Sequence, residues 1–522
     1  MCMKKIVFLL CCISAILPTS CHQDKGNYDF PGINTMSVAG LERSYKVLLR
    51  EVITPIPTPV LAFKYGRPED LSYEWRINHQ IVSEHATLDE PIAIPIGNYP
   101  ASLTVIDNKT SFKYFHDFEV EVISPYSYGL SVLSELPDGK STLSFQTRNG
   151  STIVEVWRQN VFESENPTWG NLGTDPVSHY YTVMDQCYYL LSGGGEHKIV
   201  RLEPNGMTFL GAINARIAAN YDGEFRPSHM ITIPRGNYTR YGSLIVADGE
   251  LFTYNYENSK ILTYVEKPAG VEYNYQWAGF SRFGPSGVQA IPLYDAKTNQ
   301  FLSAKQNGLY FSYQEIHPYD EDPAYTGTSV DLGDLEYVTA ELMVDDGYTG
   351  GSWSYVGYQY SSTVRFLFRD AGNTAYFYTY DYETEMDYST YKYVPWANYG
   401  VTLDKTVAGL LTAESVAKAA IESNYWFIGT GRTLSRHFWT DPSTPIQVEL
   451  PATVKGKITA LFVNTSETTL FVGVYDDSSP ENLKGGIAVF NIRPGSSEHA
   501  MFELLEYYPN VCGKAKSIVL KE

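Results

Sequence analysis

Cys21 carries the most sharply defined chemistry in this chain. It follows Lys4 and Lys5, an apolar stretch from Ile6 to Leu17, and Pro18-Thr19-Ser20. That is the layout of a leader cut just before a cysteine whose thiol is then lipidated. A helix needs about 20 apolar residues to cross a bilayer, and this stretch is shorter. Residues 1–20 therefore read as a signal peptide and residues 21–35 as a lipidated tether. Several acyl chains on Cys21 would hold the protein on a membrane without spanning it. The alternative is an ordinary secretory leader that happens to contain Cys21, and Pro18 departs from the leucine usual in a lipobox.

The remaining residue types form no recognised catalytic motif. The chain has no His-Glu-x-x-His helix, no Gly-x-Ser-x-Gly elbow and no phosphate loop ending in Lys-Ser or Lys-Thr. Gly193-Gly194-Gly195 lacks that lysine and reads as a turn rather than an anion cradle. The 10 histidines show no paired ligand spacing, so no metal and no cofactor is expected. Asp345-Asp346 and Asp476-Asp477 lack the alternating ligands of a calcium loop and read as solvated turns. Among 59 acidic residues a catalytic carboxylate pair can still hide, because its spacing exists only in three dimensions.

Aromatic side chains offer binding rather than turnover. The 42 tyrosines and 8 tryptophans suit packing on pleated surfaces. Two Gly-rich stretches differ, one from Val271 to Gly287 with Tyr275, Trp277 and Phe280, the other from Asp346 to Tyr360 with Tyr348, Trp353 and Tyr355. On exposed loops these six rings would make platforms for sugars or peptide side chains, and they are the candidate ligand-binding residues.

Charge narrows the partners. The formal net charge is −20, and the leader holds two lysines and no acid, so the mature chain is more acidic still. Such a surface repels phosphate backbones and anionic head groups, which argues against nucleic acid and leaves the lipid as the only membrane contact. Of 6 cysteines, three leave with the leader and Cys21 takes lipid. Cys187 and Cys512 remain, and their separation in sequence neither supports nor excludes a bridge.

Strands must position whatever site exists. Leu71–Ile77, Ala101–Val105 and Phe118–Val122 alternate apolar and polar residues, which predicts an Ig-like sandwich over residues 36–125 with Trp75 in its core. Beyond Ser124-Pro125-Tyr126, hairpins recur at 243–252, 291–302, 364–378 and 460–472. Their irregular spacing of roughly 40 to 70 residues fits blades, so residues 126–522 are expected to form a β-propeller of seven blades, with eight the neighbouring count. Ala515 to Leu520 is expected to close the ring, and Thr412 to Ser423 is the one segment that reads as a helix.

The opening of the mature chain resembles a known family. Asp24-Lys25-Gly26-Asn27-Tyr28-Asp29-Phe30 after Cys21, then Tyr73-Glu74-Trp75, Gly97-Asn98-Tyr99, Leu103 to Asp107 and Ser124 to Leu130, are similar to the PKD-like family lipoproteins. Phe30 and Leu130 stand where that family usually has Tyr and Trp. The resemblance covers residues 21 to about 145 and implies a non-catalytic surface lipoprotein of the outer membrane. It further implies an accessory role beside a SusC-type transporter and a SusD-type lipoprotein in the uptake of oligopeptides or oligosaccharides. A standalone glycan-binding lipoprotein and a propeller hydrolase or lyase are the alternatives.

Overall fold

The computed structural model describes residues 35–49, 56–64, 67–88, 91, 94–148, 156–182, 186–214, 221–233, 242–255, 261–267, 269–279, 290–306, 313–318, 330–345, 360–387, 392–395, 400–420, 422–439, 441–493 and 502–521. Cys21 and the tether lie outside them, as do Phe280, Tyr348, Trp353 and Tyr355. The chain divides into two compact units at Ile123/Ser124.

The first unit is the sandwich. Strands β1 (Met36–Ala39), β2 (Ser44–Leu48), β3 (Val60–Phe63), β4 (Leu71–Ile77), β5 (Gln80–Ser83), β6 (Gly97–Asp107) and β7 (Lys113–Ile123) make a sheet in the order β2-β7-β6-β4-β5 and a second pair β1-β3. β2 runs parallel to β7 while the other pairings are antiparallel. Asn78 and His79 both adopt left-handed φ values of 49° and 64°, the two-residue turn whose twist matches the flanking strands of a hairpin. Alternation drives the packing: Trp75, Ile77, Leu103, Val105, Val120 and Val122 all turn inward. Trp75 is 0% exposed, meets Phe118 edge-on at 6.2 Å and donates its indole N–H to His85 O at 2.9 Å.

The second unit is the propeller. Its described residues form seven antiparallel sheets, each of four or five strands. Blades 2 to 7 take consecutive segments, 174–213, 227–264, 275–318, 336–407, 416–449 and 457–512. Blade 1 is composite. Gly129–Glu135, Ser141–Thr147 and Trp157–Arg158 come from the start of the unit, and Lys514–Lys521 from its end, pairing Ile518 with Val132 and Leu520 with Leu130. The terminal strand also neighbours Thr174–Thr182 and Lys457–Val463, the first strands of blades 2 and 7, which makes it the innermost strand of its blade.

Seven buried clusters sit between successive blades. Leu143, Phe145 and Leu190 join blades 1 and 2; Tyr189, Leu191 and Phe252 join 2 and 3. Leu244, Tyr275 and Leu293 join 3 and 4, and Trp277, Tyr294 and Phe366 join 4 and 5. Leu367, Phe377 and Trp426 join 5 and 6, Phe427, Leu470 and Phe490 join 6 and 7, and Val132, Phe471 and Ile518 join 7 back to 1. The succession returns to its start, so that among the described residues every blade packs on a blade at each face.

Two devices fix the closing strand. At Gly513 a Cβ would come within 2.3 Å of Glu135 O, so only glycine lets the strand enter beside blade 1. At the other end the buried Lys521 ammonium donates to Tyr126 O, Pro204 O and Asn205 Oδ1 at 2.9, 2.8 and 3.0 Å.

The expected helix at 412–423 is corrected. Thr412 to Ser415 is a turn held by Thr412 N donating to Ser415 Oγ at 2.9 Å, and Val416–Ala420 is the first strand of blade 6, with Ala419 opposite Trp426. Ala419 and Ala420 are buried against neighbouring blades, where small side chains fill a narrow gap. Tertiary packing overrides the helix preference of alanine. The four expected hairpins are pairs of adjacent strands in blades 3, 4, 5 and 7. Cys187 and Cys512 are buried in blades 2 and 7 and form no disulfide with each other.

Candidate functional site

Two of the expected binding rings are structural. Tyr275 and Trp277 belong to Tyr275–Ala278, the innermost strand of blade 4, and are 1% and 2% exposed. A bulge between them breaks the alternation, so that Tyr275 packs toward blade 3 and Trp277 toward blade 5, where it meets Phe366 edge-on at 5.1 Å. They are wedges between blades, not a loop platform. Phe280, Tyr348, Trp353 and Tyr355 remain outside the described residues.

The candidate site that the described residues offer lies on the face of blade 5 turned to blade 6. Glu341, Arg365, Thr379 and Thr402 stand opposite one another on four adjacent strands and form one polar row below the apolar cluster of Leu367 and Phe377. Asp404 is the extra residue of a bulge and reaches back into this row, accepting from Thr379 Oγ1 and from Arg365 Nη1 at 3.4 Å. Thr363 donates to Asp381 Oδ1 at 2.6 Å one step further along. From blade 6, Lys418 donates to both Glu341 oxygens at 2.8 and 2.7 Å, and the Arg365 guanidinium lies over the Trp439 ring at 3.9 Å. Arg365 Nε and Trp439 Nε1 are buried without a hydrogen-bond partner among the described residues.

Glu341 belongs to the innermost strand of blade 5, and its charge reaches two phenols, Tyr337 on its own strand and Tyr180 on the innermost strand of blade 2. Burial raises the pKa of both, and the Glu341 carboxylate raises it further, so both hydroxyls keep their protons. Ser178 Oγ donates to the Tyr180 hydroxyl at 3.1 Å. Burial also raises the Asp404 carboxyl, opposed by its Thr379 hydrogen bond and by Arg365. Chemically the row offers phenol, ammonium and guanidinium donors, with each carboxylate already engaged by a partner in the row.

One pair imitates a nucleophile and its base. Ser131 Oγ lies 2.8 Å from His179 Nε2. Ser131 donates its own proton to Val519 O at 3.1 Å, so the imidazole donates to the serine and takes nothing from it. Both side chains are buried, and burial holds the His179 pKa down to about 3. The pair is a structural seam between blades 1 and 2. Asp476 forms a turn, accepting from Ser478 N at 3.0 Å, and the described residues contain no group of three His, Cys, Asp or Glu able to hold a metal.

The polar row left little trace in the sequence. Glu341 stands between Ala340 and Leu342, and Arg365 between Val364 and Phe366, so each interrupts a short apolar run with a half-buried charge. Their alignment across four strands depends on registers set by two bulges, which no local pattern reveals.

Comparison with known proteins places part of the chain. The model of the PKD-like family matches residues 21–174, running through the sandwich and into the first blade. No curated protein matches the sequence. Among solved structures, a quinonprotein alcohol dehydrogenase-like protein from Bacteroides thetaiotaomicron is 13% identical with a TM-score of 0.40, over 93% of this chain and 99% of its own. The WD40 domain of SCAP from fission yeast is 8% identical with a TM-score of 0.32, over 75% and 91%. The Nup133 β-propeller domain of Vanderwaltozyma polyspora is 8% identical with a TM-score of 0.33, over 72% and 94%.

Proposed function

We propose that this protein is a lipid-anchored surface protein of the outer membrane that works by binding, as an accessory component of a SusC/SusD-type importer of oligopeptides or oligosaccharides. One observation supports the reading: the PKD-like family match begins at residue 21, the cysteine expected to follow the leader, and runs through the expected tether and the sandwich. The polar row is consistent with binding, because its carboxylates accept hydrogen bonds from Lys418, Arg365, Thr379 and Thr363. A shared membrane raises the effective concentration of anchored partners, so a modest interface suffices for assembly.

The test is purification of the tagged protein from detergent-solubilised outer membranes. SusC-type and SusD-type proteins are expected to co-purify, and replacing Cys21 with Ala is expected to remove the lipid mass and release the chain from the membrane fraction. Retention of the Cys21→Ala variant on the membrane, or purification without any importer, would sink the reading. Asp404 favours a second one: a carboxyl raised by burial close to the Asp381 charge is an arrangement that acid–base hydrolysis uses. Polymer hydrolysis that disappears in Asp404→Asn would put the enzyme in place of the accessory protein.

A further inference from the structure

Trp169 is the largest aromatic ring left open on the described propeller surface, with 52% of its area exposed. A single exposed apolar residue needs no explanation. This one differs in how it is held. Its indole rests on Phe209 with ring centroids 4.5 Å apart, Phe209 is backed edge-on by the buried Phe162 at 6.2 Å, and His197 lies on the same ring at 5.4 Å. Beneath the loop, Asn166 is 5% exposed and uses its whole amide: Nδ2 donates to Phe162 O and Met207 O at 3.0 and 2.8 Å, and Oδ1 accepts from Phe209 N at 2.7 Å. Trp169 N closes the turn onto Asn166 O at 3.0 Å. The indole does not fold inward, because Phe209 occupies the space below, and its loop is pinned to the short helix Val161–Glu165 and to Met207 and Phe209.

A fixed, solvent-facing indole is organised in advance for a flat partner, and ordering costs little on binding. The neighbouring side chains choose its chemistry. Thr168 and Asn171 are exposed on either side, a hydroxyl and an amide, both uncharged. No guanidinium or ammonium lies over the indole among the described residues. Neutral hydrogen-bonding groups around an aromatic face suit the C–H face and hydroxyls of a pyranose ring, and the strongly acidic chain excludes anionic polymers.

We infer that Trp169, with Thr168, Asn171 and His197 around it, is a surface subsite for a neutral glycan on the rim of blade 2. The subsite is independent of importer association, and the two can fail separately.

The test is affinity electrophoresis of the full-length protein in mild detergent, through native gels containing glucomannan, xylan, mixed-linkage β-glucan or dextran. Retardation by at least one glycan is expected. Trp169→Ala should weaken it about tenfold, Trp169→Phe should retain most of it, and Trp169→Leu should lose it, because stacking needs a flat ring and not merely apolar area. All three variants should melt with the wild type, since the Asn166 bonds and the Phe162–Phe209 contact remain. No retardation by any of the four glycans overturns the inference, as does equal retardation of Trp169→Ala or Trp169→Leu. Binding of a proline-rich peptide pool that Trp169→Ala abolishes, without glycan retardation, would assign the platform to peptides.

Discussion

At the scale of single residues, the sharpest consequence concerns Trp277. Its place between blades 4 and 5, against Phe366 and Tyr294, makes Trp277→Ala a large-to-small change in a dense core. Such changes cost about 3 to 5 kcal/mol. Chemical denaturation should show a loss of that size, whereas a loop platform would lose almost nothing. The sequence does expose the chemistry of this ring but not its direction: a Gly-rich neighbourhood suggests a loop, and only the bulge at Gln276 sends Tyr275 and Trp277 to opposite faces.

His179 supports a second prediction. Its pKa is about 3 in the folded chain against 6.5 in an unfolded one, because burial disfavours the imidazolium. Between those values the unfolded chain takes up a proton that the folded chain refuses. Stability is therefore intact above pH 6.5 and falls as pH drops below it, by about 2 kcal/mol at pH 5. His229, with a pKa lowered to about 4 and Nε2 donating to Ala278 O at 2.8 Å, adds to the same acid limb. Denaturation midpoints at pH 7 and pH 5 check this: His179→Asn should shrink the difference, and an unchanged difference refutes the assignment.

At the scale of elements, the terminal strand decides the propeller. Lys514–Lys521 fills the innermost place of blade 1 and shares buried contacts with blade 7. Deleting residues 513–522 would expose Val132, Phe471 and Ile487 and leave an unpaired strand edge. The truncated chain should melt well below the intact one or fail to fold, read by circular dichroism. This element is legible in the sequence because a short β-branched run after the last hairpin has nowhere else to pair. The strand at Val416–Ala420 is not, since alanine runs favour helix until a neighbouring tryptophan claims the space. Polar rows are the least legible, because Glu341, Arg365 and Thr379 are separated in sequence and meet only through strand register.

At the scale of the whole molecule, the chain contains two cores with no residue in common. The sandwich cluster draws on Tyr45, Val47, Trp75, Leu103, Phe118 and Val120, all before Ser124. The seven clusters of the propeller draw only on residues after it. Cooperativity follows shared packing, so each unit should unfold as its own transition. Within the propeller, by contrast, every blade packs on two others, and the loss of one interface is felt around the ring. Calorimetry of the full chain should therefore resolve two transitions. Trp75→Ala, which removes the ring at the centre of the sandwich, should lower or abolish one and leave the other in place, while Trp277→Ala should do the reverse. A single transition shifted equally by both variants would show that the two cores melt as one.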